Sequence, residues 1–418
     1  MRLARFLVPV VALVVLGAGL SACDQIGGSE EEGEVYRIYV SAPTQGRQTG
    51  QDLIDSAQIA VQEFGQDIEG ARIEAVQLND SDELGDFRPA LVRRNARKAA
   101  RDPQTIAYIG DLESGASEIS APILNRAGVL QVSATSTALG LTRPGPKEEA
   151  ELQPSGTRTF ARVVPNDLVQ AAAIGQFMVE ESVYSVFLVD DGGAYGAGLA
   201  KLVGRALDTY YKVDVRGRGR ITSKSQVAGM VDQVVEARPD AVLLAGADLA
   251  LGRDFYRAVN QADPTIKLFG GDAFANEQFT LGLGEVGLDT YLTTPALPAG
   301  NYAKSGSRYL KTFEERYGRE PQPSGIFAYE AAAAIIDSFR LANDERVRQG
   351  PPADMRRAVR NVFFSISERP SPLGSYSIDA YGDTSLSFYG AYRVEDGELV
   401  LGRALEIPEF LVRELRGP

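Results

Sequence analysis

The chain has 418 residues, no histidine and one cysteine. Without histidine there is no Ser-His-Asp or Cys-His catalysis, no histidine metal site and no imidazole pH switch. A lone cysteine cannot close an intrachain disulfide. No Gly-x-x-x-x-Gly-Lys-Ser/Thr phosphate cradle and no Gly-x-Ser-x-Gly nucleophile elbow is present. Asn79-Asp80-Ser81-Asp82 with Asp86 lacks the terminal glutamate of a calcium loop and reads as a strand-end turn with a helix cap. Basic excess is missing too. The formal charge of −13 excludes general nucleic-acid binding and predicts weak repulsion from anionic lipid headgroups. No short internal repeat marks a solenoid. Catalysis by carboxylate, Lys, Ser or Tyr is not excluded by these absences, but it is disfavoured.

Arg2 and Arg5 precede an uncharged stretch from Phe6 to Leu20, shorter than the roughly 20 residues of a membrane span. Leu20-Ser21-Ala22-Cys23 follows. A basic start, an apolar middle and small residues at the exit form a secretory signal. With cysteine at the exit, the signal resembles that of bacterial lipoproteins. The resemblance implies cleavage after Ala22, lipid on Cys23, a mature chain of 418 − 22 = 396 residues and an extracytoplasmic, membrane-anchored location. With Cys23 lipidated, no thiol is left for nucleophilic or zinc chemistry. Residues 23–34, acidic and glycine-bearing, read as a flexible tether. The mature length suits two or three domains at about 150 residues each.

From Val35 onward, strand-like and helix-like segments alternate. Val35–Val40, Ile73–Leu78, Ile106–Ile109 and Val129–Val132 are strands, separated by helical spacings such as Leu53, Ala57, Ala60, Val61 and Phe64. After a proline- and glycine-rich break at Arg143–Gly156 the rhythm resumes with helix Asp167–Glu180 and strand Tyr184–Val189, and it runs on to strand Ile266–Phe269. Strands alternating with helices predict an α/β fold of two doubly wound lobes with parallel sheets. The tail from Gly374 to Val400 predicts a strand pair built from Tyr376–Asp379 and Ser387–Tyr392.

Two stretches carry candidate chemistry. Gly192–Gly198, with Tyr195, lies between strand and helix; it is a tight turn or a weak dinucleotide fingerprint, and the turn is favoured. Tyr108–Thr142 places Ser114 and Ser117 at a helix start and Ser133-Ala134-Thr135-Ser136-Thr137 at a strand end. Hydroxyls and free amides there suit an anion such as a carboxylate, because ligands of open α/β sheets bind at the carboxyl ends of strands. The same residues also suit helix capping alone.

Ile109-Gly110 with Ser114, Gly128–Thr142, Phe160-Ala161-Arg162 with Pro165 and Asp167, Ala194-Tyr195-Gly196, Gly270-Gly271-Asp272, Ala328-Tyr329-Glu330-Ala331 and Gly382-Asp383 occur in that order. Together they resemble the type I periplasmic binding proteins of ABC importers, in the branched-chain amino-acid (Leu/Ile/Val-binding) group. The resemblance implies two lobes joined by a three-strand hinge, with crossovers near Phe160, Thr293 and Gly374. Lobe one is then 35–159 plus 294–373, and lobe two 160–293 plus 374–418. It implies a small-molecule ligand, an amino acid (polar or cationic ones included) or an amide-like compound, a membrane ABC permease as partner, no catalysis, no cofactor and no metal. Ser114 would hold the α-carboxylate of an amino acid and Thr137 would contact its backbone, with Thr135 and Ser136 as ligand-binding residues at the same strand end. Tyr195 would cover it and Asp272 would pair with its ammonium. The family's pocket aromatics are replaced by Thr49 and by Asp248 or its neighbour Leu249, which predicts a more polar side-chain pocket. A ligand-sensing receptor of the same fold, coupled to a membrane signalling partner, is the alternative.

Overall fold

The computed structural model describes residues 33–416. The signal, Cys23 and nearly all of the expected tether therefore lie outside the described residues. Glu34, assigned above to the tether, already pairs with Ala71 as the first residue of β1. Among the described residues, no helix is long and apolar enough to cross a membrane.

Lobe one begins β1 (Glu34–Ala42), α1 (Gln48–Phe64), β2 (Ala71–Asn79), α2 (Pro89–Arg101), β3 (Thr105–Ile109), α3 (Ser114–Arg126), β4 (Leu130–Ser133), α4 (Pro146–Leu152) and β5 (Phe160–Arg162). The five strands pair in parallel in the order β2-β1-β3-β4-β5. Lobe two follows with α5 (Asp167–Glu180), β6 (Ser185–Asp190), α6 (Ala194–Ala206), β7 (Asp214–Arg220), α7 (Val227–Ala237), β8 (Ala241–Ala245), α8 (Leu249–Ala262), β9 (Lys267–Gly270), α9 (Glu277–Thr280) and β10 (Thr290–Thr294). The chain returns to lobe one for α10 (Lys304–Tyr317), α11 (Gly325–Ala342), α12 (Glu345–Arg348), α13 (Pro352–Phe364) and the small hairpin β11 (Arg369–Ser371) and β12 (Gly374–Tyr376). It ends in lobe two with β13 (Phe388–Glu395), β14 (Glu398–Glu406) and α14 (Glu409–Arg416). The second sheet runs β14-β13-β10-β9-β8-β6-β7; β6 to β10 are parallel, and β13 and β14 are antiparallel. The protein thus has two α/β lobes with mainly parallel sheets.

Strands covered by helices on both faces have to be apolar throughout. β3 and β8 are accordingly buried at every position. In lobe one the alanine-rich α11 lies almost wholly inside the core, because small side chains let it seat close to α1 and the sheet.

The first and third crossovers lie beyond the expected positions, while the second falls just after Thr293. Phe160–Arg162 pairs with β4, so the first crossing falls between Arg162 and Asp167. Thr294 still belongs to the second sheet, and Ala296 packs in the lobe-one core. Tyr376, Ile378 and Leu386 also pack in that core, so the third crossing lies between Leu386 and Phe388, not at Gly374. The expected pair of tail strands is replaced as well. Phe388–Glu395 pairs with β14 across the two-residue turn Asp396-Gly397, both at positive φ. Asp-Gly is the residue pair that such a hairpin turn demands.

Arg162, at 0% exposure, ties the crossings together. Its Nε donates to Asp383 Oδ1 at 2.9 Å, and its Nη1 donates to the carbonyls of Ser136 (2.8 Å) and Ala138 (3.1 Å). Asp383 also accepts from Thr142 (2.9 Å) and Arg143 (3.0 Å). Gly382, at φ +92°, holds Asp383 there; a Cβ on it would meet the Phe160 carbonyl at 2.4 Å.

Candidate functional site

The carboxyl ends of the strands in both sheets face a common cavity of about 180 Å³. The loops after β1, β3 and β4 line one wall, and those after β6, β8 and β9 the other. The starts of α3, α6, α8 and α11 all border it. First-turn amides lack acceptors within their own helix, so these ends favour an anion.

On the lobe-one side, Ser114 opens α3, and its hydroxyl accepts from the Ala138 amide at 3.2 Å. The hydroxyl proton is left for a further acceptor. Thr135 donates to the Leu112 carbonyl at 2.8 Å, which leaves its lone pairs and fixes the loop after β4 against α3. Thr137 lines the cavity, and its carbonyl accepts from the Asp167 amide at 3.0 Å. Ser136 does not reach the cavity. Its side chain is 0% exposed, bonded to Ser117 Oγ (2.8 Å) and donating to the Asp111 carbonyl (3.0 Å). Alternation along the chain turns it away from Thr135 and Thr137, so its expected ligand role is corrected to a loop-building one.

On the lobe-two side, Asp272 lines the cavity beside Tyr195 and Gln170. Removal from bulk water raises its carboxyl to about 6, against the pull of the Tyr195 hydroxyl and the Gln170 amide. Tyr195 donates to Gln170 Oε1 at 3.1 Å. Its hydroxyl lies over Gly271, where a Cβ would meet it at 2.1 Å. The glycine before Asp272 is thus what lets Tyr195 close this corner. Behind the wall sits Asp167, fully buried, with both carboxylate oxygens lacking a hydrogen-bond partner. Burial, and secondly the charge of Asp272, raises it to about 7, against the pull of Thr137 and Arg162.

Hydrogen bonds bridge the lobes at the mouth. Arg47 Nη2 donates to the Ala247 carbonyl at 3.1 Å, Gln278 to the Gly46 carbonyl at 3.1 Å, and the Glu277 amide to Gln322 Oε1 at 3.3 Å. Arg47 also pairs with Glu113 at 3.0 Å. Burial pushes the Glu113 carboxyl up, and Arg47 opposes it. Burial likewise raises Asp191, although the Ala247 and Gly193 amides donate to it, each at 2.9 Å. Glu113 is thus held by Arg47 and Asp191 by two backbone amides, whereas Asp272 faces the Tyr195 hydroxyl, the Gln170 amide and the Ala273 amide and, among the described residues, no arginine.

Of the remaining expected residues, Thr49 lines the cavity and Asp248 does not. Asp248 caps α8, accepting from the Leu251 amide at 2.9 Å. Its neighbours Ala247 and Leu249 occupy the wall instead. The expected polar side-chain pocket is joined by apolar surface: Phe87, Leu112, Leu249, Pro323 and Phe327 line the cavity together with Arg47, Thr49, Glu113 and Asp191. Phe87, Phe327 and Arg47 were not legible as site residues. Phe87 lies in a turn with no periodic signal, and Phe327 reads as one more apolar residue of a core helix. Arg47 stands out only once Ala247, 200 residues on, is beside it.

Two α/β lobes closing on a cavity at their strand ends define a binding protein of the periplasmic type. The sequence profile of the periplasmic binding protein family matches residues 38–380, and the chain belongs to that family. The family is one of non-catalytic substrate-binding proteins. The Leu/Ile/Val-binding protein BraC3 of Rhizobium johnstonii is 23% identical over 352 residues, covering 84% of this chain and 89% of its own. The leucine-binding protein LivK of Thermotoga maritima superposes with a TM-score of 0.74 at 19% identity, over 89% of this chain and 99% of its own. The branched-chain amino-acid binding protein LivJ of Streptococcus pneumoniae, solved with isoleucine, gives 0.73 at 17% identity, over 90% and 99%.

Proposed function

We propose that this protein is the extracytoplasmic, Cys23-lipidated substrate-binding component of an ABC importer, and that it captures a zwitterionic amino acid with an apolar side chain. The carrying observation is the polarity of the cavity. One end offers the Ser114 hydroxyl and the first-turn amides of α3 to a carboxylate. The other end offers Asp272 to an ammonium. Phe87, Leu249 and Phe327 of the same lining offer apolar surface to an aliphatic or aromatic side chain. Charge-assisted contacts at both ends exceed neutral ones in strength. They form only when the lobes meet, so the ligand biases the closed state, which is the form a permease recognises. BraC3, LivK and LivJ carry ligand names consistent with this reading.

Titration calorimetry of the mature chain with a panel of amino acids tests the proposal. Apolar α-amino acids are expected to bind stoichiometrically, and their amides or N-acetyl derivatives far more weakly. No binding by any zwitterionic amino acid would refute it. Mass spectrometry of the Cys23 peptide tests the anchor separately.

A further inference from the structure

The net charge of −13 conceals one strongly basic face. From Arg88 to Arg101 there is no Asp or Glu. Arg93, Arg94, Arg97, Lys98 and Arg101 of α2 are all exposed, and among the described residues none forms an ion pair. At about 100° per residue they fall within an arc of about 140°, opposite the buried Val92, Asn95, Ala96 and Ala99. Four of them, with Asp102, line a surface depression. The helix dipole accounts for Lys98 and Arg101 in the last turn, but not for Arg93 and Arg94. The pairs Arg93/Arg97, Arg94/Lys98 and Arg97/Arg101 are like charges at i,i+4, which disfavour the helix. An anionic counter-surface removes that repulsion.

The place of this face in the fold indicates which surface. Asp102, at the end of α2, accepts from Arg37 (2.9 Å) and Tyr39 (2.8 Å) of β1. Arg37 lies three residues from Glu34, about 10 Å along the strand, and Glu34 is where the described chain begins its sheet. From Cys23 to Glu34 is 34 − 23 = 11 residues, a covalent reach of at most about 40 Å. Lobe one is therefore tethered to Cys23 through the strand that carries Arg37 and Tyr39, the partners of Asp102 at the end of α2.

We propose that the basic face of α2 docks on the anionic phospholipid headgroups of the membrane that anchors Cys23, setting the orientation of lobe one above the bilayer. The proposal rests on the lipid-anchor reading. The whole-chain charge does not oppose it, because beyond a Debye length the other carboxylates are screened. It replaces the uniform repulsion that net charge alone predicts.

The test is co-sedimentation of the mature chain, carrying Cys23→Ser, with phosphatidylglycerol-containing vesicles and with pure phosphatidylcholine vesicles. Preferential binding to the anionic vesicles is expected, abolished at ~0.5 M salt. Arg94→Glu/Arg97→Glu/Lys98→Glu should lower the partition about tenfold or more, in line with the contribution of each basic residue near an anionic surface. A neutralising Arg93→Gln/Arg97→Gln pair should give a graded loss with a melting temperature that is not lowered, since two like-charge pairs are relieved, and with unchanged amino-acid binding. Equal partition on the two vesicle types, or full retention by the triple variant, overturns the proposal and leaves the face to a protein partner. Because this chain carries no lipid, failure here is distinct from failure of the anchor, which the Cys23 peptide mass reports.

Discussion

Acidification should weaken amino-acid binding through Asp272. The Asp272 carboxyl sits at about 6 because burial in the cleft wall disfavours its charge. An incoming ammonium pairs only with the ionised form. At pH 7.5 nearly all Asp272 is ionised, and at pH 5 about one molecule in eleven is. The apparent Kd should therefore rise about tenfold between those pH values, about 1.4 kcal/mol, with proton release visible as a buffer-dependent calorimetric enthalpy. Asp167, raised to about 7 behind the same wall, takes up its proton first on acidification, which removes a second negative charge from behind Asp272. Asp272→Asn should flatten the pH profile. It should also weaken binding at pH 7.5 by about 2–5 kcal/mol, since a buried charged partner is left unpaired. The assay is isothermal titration of both proteins from pH 5 to 8. A pH-independent Kd for the wild type, or an Asp272→Asn variant that binds as tightly, would refute the reasoning.

Three other perturbations follow from the same geometry. Asp167→Asn should raise the melting temperature of the ligand-free protein at pH 8 but not at pH 4. A carboxyl raised in the native state makes folding less favourable as pH climbs from its ordinary value through about 7, here by up to about 4 kcal/mol. Arg47→Ala should weaken ligand affinity by about 1–2 kcal/mol, chiefly through faster dissociation, because it removes the charge-assisted bond to Ala247 across the mouth; stopped-flow release checks this. Asp383→Ala should destabilise the fold by about 3–5 kcal/mol, leaving Arg162 buried without its carboxylate, as urea unfolding will show. Arg162 also holds the Asp383 carboxyl below its ordinary range. That contribution is present at neutral pH and is lost as pH falls through the depressed value.

Much of this protein was legible in one dimension, and the boundary is a physical one. Strand and helix periods and the glycines before Tyr195 and Asp272 are local constraints, set by backbone sterics and by which face is apolar. They are visible wherever residues a few positions apart carry the signal, and Ser114, Thr135, Thr137, Tyr195, Asp272 and Thr49 could be picked from strand ends and motifs. Tertiary structure decided what depends on contacts distant in sequence. It turned Ser136 and Asp248 into local hydrogen-bonding groups, and it brought Phe87 and Phe327 to the same wall. It made Arg47 a bridge to Ala247, left Asp167 unpartnered behind Asp272, and moved the crossovers to where β5 and Leu386 find their packing. Side-chain direction and burial follow from the closure of two lobes on each other, and no window of the sequence contains both lobes at once.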